Sequence, residues 1–201
     1  MGIVDFLKRV WYFIWEEDSL ASWLVNVVLA FVIIKFLLYP GLGFILGTPA
    51  PIVAVVSGSM EHEGNLNTFW TEPICCNSYC TSKAAQGSWY EQNGITRDDF
   101  RQFKFVNGFN KGDIMILQSA DEAKTGDTIV YVTSTRPDPI IHRVVNVTNG
   151  VFQTKGDNNC DVGEFEKAIP QDKVIGKAVW RIPYLGWVKI VAVMFMQAIV
   201  R

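Results

Sequence analysis

Residues 140–155 read IIHRVVNVTNGVFQTK, and this stretch decides the fold class. Its β-branched and apolar residues favour strands on both sides of Asn149-Gly150, a dipeptide that two-residue hairpin turns prefer. The stretch therefore predicts antiparallel strands at 140–147 and 151–155. His142 alternates with Ile140 and Val144 and should share their apolar face, where a polar ring needs a hydrogen-bond partner.

Similar short strands are predicted on both sides of this hairpin. These short strands and their turns predict a mainly β fold, with a compact coiled antiparallel sheet in a domain that spans residues 51–183. Residues 61–107 interrupt it with a polar, aromatic-rich insertion, in which Thr96 should cap a short helix. The other predicted strands are 51–56, 114–117, 128–133 and 174–182.

Three of the four cysteines lie in the insertion, and the fourth follows the hairpin. Their spacing is unusual for a zinc site, even with His62 as a further ligand, so no metal is predicted. One or two disulfides are expected if this part of the chain faces an oxidising compartment, including one between the insertion and the distant cysteine. The four residues are Cys75, Cys76, Cys80 and Cys160.

Residues 20–39 read LASWLVNVVLAFVIIKFLLY and carry three clearly polar side chains. As a helix they would span roughly 30 Å, the thickness of a bilayer's hydrocarbon core. The apolar run is longer than that of a usual signal peptide, and Pro51 would sit poorly after the nearest small-residue site, Thr48-Pro49-Ala50. We therefore predict a retained transmembrane anchor.

Two further segments are predicted to contact the membrane. Residues 1–18 have the charge spacing of an amphipathic interfacial helix, although they could equally be the first turns of one helix that continues into the anchor. Residues 184–201 are predicted to be an apolar helix that either spans the membrane or lies in its surface. The count of Lys and Arg gives a weak orientation signal, which favours a cytoplasmic N-terminus.

Two kinds of side chain around His142 could make it a general base. A serine hydroxyl on one ring nitrogen and a carboxylate on the other is the arrangement that activates a nucleophile. Serines occur in Ser57-Gly-Ser-Met60, after the 51–56 strand, and acids follow the hairpin at Asp157 and Asp161. The residues alone leave open which aspartate, if either, holds the ring.

Four motifs occur in order behind the anchor: Ser57-Gly-Ser-Met60, Gly112-Asp113, Ile141-His-Arg143 and Lys155-Gly-Asp-Asn-Asn159. Together they resemble the type I signal peptidases of archaea and the endoplasmic reticulum. The resemblance covers most of residues 51–186 apart from the insertion. It implies a membrane-bound serine endopeptidase that removes signal peptides from secretory preproteins.

The resemblance also implies a role for individual residues. Ser59 matches the nucleophile and His142 the general base, in the position where bacterial relatives have a lysine. Ser57 matches the serine that assists the oxyanion hole together with the Ser59 backbone N–H. Asp157 matches the Gly-Asp acid, and Asp161 is the natural counterpart of a second acid, although the linker before it is shorter than in the family.

Partners and location follow from the same resemblance. The expected substrates are preproteins with small residues at positions −1 and −3, cleaved on the extracytoplasmic face of the cell membrane. The lipid bilayer and the secretion translocon are further expected partners, and no cofactor is needed. The chain has 18 basic and 20 acidic residues and no long run of one sign, so nucleic acid is not an expected partner.

Two other hypotheses remain open at this stage. The first keeps the peptidase but replaces the triad with a Ser–Lys dyad that uses Lys155, a residue otherwise expected on the surface. The second is a non-catalytic, membrane-anchored β module that binds a partner through the aromatic side chains of the insertion, namely Phe69, Trp70, Trp89 and Tyr90.

Overall fold

The computed structural model describes residues 2–76, 81–188, 190–191 and 194–195. The chain forms two compact units, Met1–Ile45 and Leu46–Arg201. The first unit is helical, and the second is built on a β-sheet.

The first unit contains α1 (Ile3–Trp15), α2 (Leu20–Ile33), a π-helical turn (Ile34–Leu38) and most of α3 (Tyr39–Leu46). From Leu20 to Leu46 these elements form one helix of 27 residues with a hydropathy of 2.3. By length and composition, it is the one helix among the described residues that could cross a membrane.

This helix continues beyond the predicted 20–39 span because a wider turn accommodates Pro40. Proline has no backbone N–H and its ring crowds the preceding turn, which usually ends or kinks a helix. Here the Tyr39 N–H donates to the Ile34 carbonyl, five residues back, directly before the proline. Such a π-helical turn absorbs the disruption, and the helix goes on to Leu46.

Residues 1–18 are not the first turns of this helix, because α1 ends at Trp15 and Ser19 caps the start of α2. Two polar side chains of α2 satisfy carbonyls at the end of α1 instead. Ser22 Oγ donates to the Phe13 carbonyl at 2.6 Å, and Asn26 Nδ2 donates to the Ile14 carbonyl at 2.8 Å. Helix ends leave such carbonyls without partners, so these bonds hold the two helices together. That α1 lies in a membrane surface stays a prediction.

The second unit contains a seven-stranded sheet and a small two-stranded sheet. Among the described residues of this unit, the α-helices with defined bounds are α4 (Leu66–Thr71), α5 (Gln86–Gln92) and α6 (Arg97–Arg101). The strands are β1 (Ile52–Ala54), β2 (Ile74–Cys75), β3 (Lys83–Ala84), β4 (Ile114–Gln118), β5 (Thr128–Tyr131), β6 (Ile140–Thr148), β7 (Val151–Lys155), β8 (Ile169–Pro170) and β9 (Val174–Ile182).

The large sheet has the order β1-β4-β9-β5-β6-β7-β8, and every neighbouring pair is antiparallel. Irregularities in β-sheet pairing increase twist and bend strands, so they curl this sheet. The predicted coiled antiparallel sheet is confirmed. The irregularities fall at Ile116/Leu117, Val130/Tyr131 and Val144/Asn146.

All six predicted strands are present, and the hairpin turn has the expected geometry. Asn149 and Gly150 have φ values of 51° and 75°, the positive angles that a type I′ turn requires. The short strand β8 was not predicted, because two residues give no periodic signal.

In residues 61–76 and 81–107, the insertion forms three short helices and the β2–β3 pair, and Thr96 caps α6 as expected. Its aromatic side chains pack on one another: Phe69, Trp70 and Tyr90 are buried, and Trp89 is half-buried. These rings form a core within the insertion, which removes the observation that favoured a partner-binding surface. The predicted C-terminal helix is not shown, because much of 184–201 lies outside the described residues, as does Cys80.

Candidate active site

The two serines of the Ser-Gly-Ser motif lie in a turn at the end of the edge strand β1. The Val55 N–H still donates to the Asp113 carbonyl at 2.8 Å, and the chain then leaves the sheet. The Glu61 N–H donates to the Gly58 carbonyl at 3.1 Å and closes the turn. Ser57 Oγ and Ser59 Oγ are 3.1 Å apart, so the hydroxyls are within hydrogen-bonding distance.

Ser59 and His142 meet across the sheet, as the sequence predicted that a serine and this histidine would. His142 lies on β6, opposite Ile129 of β5, and is almost fully buried. Its Nε2 is 2.9 Å from Ser59 Oγ. A serine hydroxyl at this distance can give its proton to the ring, provided that Nε2 is unprotonated.

The carboxylate that contacts the other ring nitrogen belongs to Glu166. Its Oε1 is hydrogen-bonded to His142 Nδ1, and its Oε2 accepts the Gly163 N–H at 2.8 Å. Thr154 Oγ1 lies 3.5 Å from the same Oε1, and Glu166 is 1% exposed. An acceptor at Nδ1 holds the ring proton there and leaves Nε2 free to accept the serine proton.

Asp157, one of the two predicted acids, does not contact His142. It is fully buried and receives hydrogen bonds from Arg143 Nη2 at 2.7 Å, Tyr90 Oη at 2.8 Å and His62 Nε2 at 2.9 Å. Burial would raise the pKa of Asp157, but the Arg143 charge and the His62 hydrogen bond outweigh it and hold that pKa well below its ordinary value. The Asp157 carboxylate is therefore ionised and paired with Arg143.

Asp161, the other predicted acid, also lies away from the ring. Its side chain is exposed and accepts Trp89 Nε1–H at 2.8 Å and the Val162 N–H at 2.7 Å. The hydrogen bond from Trp89, reinforced by the Val162 N–H, lowers the pKa of Asp161. The geometry thus brings neither predicted aspartate to His142.

Lys155 was expected on the surface, and this prediction is wrong. Its ammonium is fully buried and donates to Gln86 Oε1 at 2.8 Å and to the Gly156 carbonyl at 3.1 Å. It lies over the rings of Trp89 and Tyr90. Burial lowers the pKa of Lys155 to about 8, against the opposing effect of Asp157. With its donors engaged by the insertion and its own loop, this lysine gives no support to a Ser–Lys dyad.

A cleft with a volume of about 760 Å³ opens beside Ser59 and His142. One wall is the end of β1 and the serine turn, and the other is the segment that leads into β6. Its lining includes Val56, Arg136, Ile141, Asn158 and Phe165. An extended peptide placed here would run past the serine hydroxyl.

One of the expected disulfides borders this cleft. Cys76 and Cys160 are bonded, with their Cα atoms 4.8 Å apart, and the bond joins the insertion to the segment after the hairpin. This is the link between the insertion and Cys160 that the sequence suggested.

Glu166 had only a weak signal in the sequence. It ends a short 3₁₀ turn, Glu164–Glu166, in which its side chain returns to the Gly163 N–H. A Gly-x-x-Glu pattern of this kind indicates a local cap, as a capping box does, and gives no hint of a distant histidine. His142 and Glu166 are separated by 24 positions in the sequence, so the contact can be recognised only in the folded chain.

No family model matches this chain. Several curated proteins are similar to it over most of its length. The SEC11 catalytic subunit of the signal peptidase complex from Scheffersomyces stipitis is 29% identical over 77% of this chain and 73% of its own. The corresponding subunit of Pyrenophora tritici-repentis is 27% identical over 94% and 85%. Human SEC11C is 27% identical over 77% and 64%. The similarity, the curled sheet and the Ser-Gly-Ser, His-Arg and Gly-Asp-Asn-Asn motifs agree, and together they support a type I signal peptidase of the endoplasmic-reticulum and archaeal branch.

Proposed function

We propose that this protein removes signal peptides from secretory preproteins by serine-type hydrolysis, with Ser59 as nucleophile, His142 as general base and Glu166 as the acid that orients the ring. The observation that carries the proposal is the continuous contact from Ser59 Oγ to His142 Nε2, at 2.9 Å, and from His142 Nδ1 to Glu166. Glu166 takes the role that the sequence offered to Asp157 or Asp161.

The reaction has two steps. Ser59 Oγ attacks the carbonyl carbon of the scissile bond while His142 Nε2 takes the hydroxyl proton, and the imidazolium then protonates the departing amine. Water next attacks the acyl-enzyme, gives its proton to His142, and Ser59 regains its hydroxyl. The Ser57 hydroxyl, 3.1 Å from Ser59 Oγ, and the Ser59 backbone N–H are the proposed donors to the oxyanion.

The edge strand supplies a place for the substrate backbone. The Val55 N–H donates to the Asp113 carbonyl, and the Val55 carbonyl accepts the Gly112 N–H, so both groups face the segment that leads into β4. Because alternate residues of a strand direct these groups to opposite sides, those of Ala54, the last residue of β1, point to the open edge. An extended substrate can add there as a further strand. Preproteins with small side chains at −1 and −3 would fit against the Ala54 and Val56 wall of the cleft.

The proposed location is the cell membrane, with the sheet unit on the extracytoplasmic face. The apolar helix Leu20–Leu46 has the length of an anchor. The Cys76–Cys160 disulfide supports the face, because disulfides persist in oxidising compartments and are rare in the cytosol. The secretion translocon is the proposed source of substrate at this face.

Cleavage of a purified preprotein by the purified full chain in lipid tests the proposal. The product's new N-terminus, read by mass spectrometry, should follow a small residue at −1. Ser59→Ala should abolish cleavage and His142→Ala should reduce it by several orders of magnitude, whereas Lys155→Met should leave it dependent on Ser59 and His142. Retained cleavage in His142→Ala would contradict the triad, and an inactive wild-type protein under these conditions would contradict the peptidase itself.

A further inference from the structure

One short loop joins the insertion to the serine turn. This loop, residues 155–161, is called the clamped loop here because the insertion (residues 61–107) holds it at four positions. The contacts are Gln86 Oε1 with Lys155 Nζ at 2.8 Å, Tyr90 Oη and His62 Nε2 with the two Asp157 oxygens at 2.8 and 2.9 Å, the Cys76–Cys160 disulfide, and Trp89 Nε1 with Asp161 Oδ1 at 2.8 Å.

The other side of the clamped loop holds the serine turn. The Asn158 N–H donates to the Ser59 carbonyl at 2.8 Å, and Asn158 Nδ2 donates to the Gly58 carbonyl at 3.2 Å. The next residue of the turn, Met60, accepts the Asp157 N–H at its sulfur, at 3.4 Å. Three consecutive residues of the turn thus depend on two consecutive residues of the loop.

The loop backbone also lies directly against the general base. A Cβ added at Gly156 would fall 2.9 Å from His142 Nε2, the ring atom that faces Ser59. Glycine permits this approach because it has no side chain. A displacement of the loop would therefore disturb the Ser59 turn and the position of the His142 ring together.

Asp157 is the point at which the insertion controls the loop. Arg143, next to His142 on β6, supplies the charge that neutralises its carboxylate. Tyr90 and His62 add one donor to each oxygen, and both side chains come from the insertion and are fully buried. Charge-assisted hydrogen bonds in a buried site are strong and directional. The arginine therefore supplies most of the charge balance, and the two insertion donors fix the orientation of the carboxylate.

We propose that the insertion is a positioning element for the nucleophile, and that Tyr90 and His62 are positioning residues that act on Ser59 through Asp157 and Asn158. The proposal rests on the function proposed above, in which Ser59 attacks the substrate. It gives the insertion a task in catalysis that needs no contact of Tyr90 or His62 with the substrate.

Tyr90→Phe is the main test, because it removes one oxygen and keeps the packed ring. A nucleophile that is displaced by a fraction of an ångström loses rate more than affinity, so we expect kcat on a preprotein to fall about tenfold while KM stays within about twofold. His62→Leu should do the same. His62→Gln keeps an N–H donor for Asp157 and should recover most of the rate.

Glu91→Ala is the matched control. It removes a hydrogen bond of similar length within the insertion, from Trp70 Nε1 at 3.0 Å, and Glu91 has no contact with the clamped loop among the bonds of the described residues. We expect its kcat to equal that of the wild type, even if thermal unfolding occurs at a lower temperature.

The outcomes separate the two proposals. If Ser59→Ala is inactive but Tyr90→Phe and His62→Leu have wild-type kcat, the positioning role is refuted and the peptidase assignment stands. An equal loss of kcat in Glu91→Ala would also refute it, because the effect would then be one of general stability. If Ser59→Ala cleaves as well as the wild type, the nucleophile assignment fails, and the positioning role fails with it.

Discussion

Replacing Glu166 with Gln changes one atom of the side chain that holds the His142 ring, and the surrounding contacts dictate how the new amide must sit. The Gly163 N–H donates to Oε2 at 2.8 Å, so the amide oxygen has to take that place. Its NH₂ group then occupies the position of Oε1, facing His142 Nδ1. A donor at Nδ1 forces the ring proton onto Nε2, where it faces Ser59 Oγ and can no longer be replaced by the serine proton.

The size of the effect follows from this change of tautomer. The corresponding substitution in Ser-His-Asp proteases lowers kcat about 10⁴-fold while leaving the geometry intact. We expect a loss of this order for Glu166→Gln, equivalent to about 5 kcal/mol in the activation free energy. Glu166→Asp keeps an acceptor on a side chain that is shorter by one methylene, and it should lose about 10- to 100-fold because the ring is held less well.

The assay is the initial rate of preprotein cleavage at saturating substrate, measured for the wild type, Glu166→Gln and Glu166→Asp. Equal thermal unfolding temperatures of the three proteins would show that the variants fold normally. Asp161→Asn is the comparison for the other predicted acid. The Asn amide oxygen can still accept the Trp89 Nε1–H and the Val162 N–H, so the clamped loop keeps this contact and kcat should stay within about twofold of the wild type. A Glu166→Gln protein within tenfold of the wild type, or an Asp161→Asn protein with the larger loss, would refute the assignment of the acid.

Three further predictions concern stability. Arg143→Met should cost about 3–5 kcal/mol in the free energy of unfolding by urea, because it leaves Asp157 charged, buried and without its cation. The pKa of Lys155 is about 8 in the folded protein, against an ordinary value of about 10.5. Between these two pH values the unfolded chain binds one more proton than the folded chain, so the free energy of unfolding should rise with pH. The rise should reach up to about 3 kcal/mol in the wild type relative to Lys155→Met. Replacing Cys76 and Cys160 with Ser should lower the free energy of unfolding by about 4 kcal/mol, since the bond closes a long loop with a separation of 84 residues.

Six of the seven strands of the large sheet could be predicted because each of them carries its own signal. Alternation, β-branched residues and the Asn149-Gly150 turn are local features, so they can be recognised without knowledge of tertiary contacts. The insertion was harder to interpret for the same reason. Its helices are five to seven residues long, too short for a periodic pattern, and they are stabilised by Phe69, Tyr90 and Phe100 packing on one another.

The contact between Ser59 and His142 could be predicted, but the contact between His142 and Glu166 could not. Ser59 and His142 lie in motifs that the resemblance recognised, and their contact follows from the sheet. For the acid, the sequence left Asp157 and Asp161 open, whereas the contact with His142 depends on which side of β6 each side chain faces. That property combines strand register with the position of a 3₁₀ turn beyond the hairpin, and neither the motif nor the spacing contains it.

Alternation along β6 explains why the chain needs two carboxylates near its histidine. His142 and Arg143 are consecutive, so their side chains point to opposite faces of the strand. The His142 face meets Glu166, and the Arg143 face meets Asp157, Tyr90 and the insertion. Asp157 cannot orient the ring while it neutralises the arginine, and Glu166 pairs with no Lys or Arg among the described ion pairs. One strand thus carries the reactive face on one side and the contacts that position it on the other, which is why the insertion can influence catalysis without reaching the cleft with its helices.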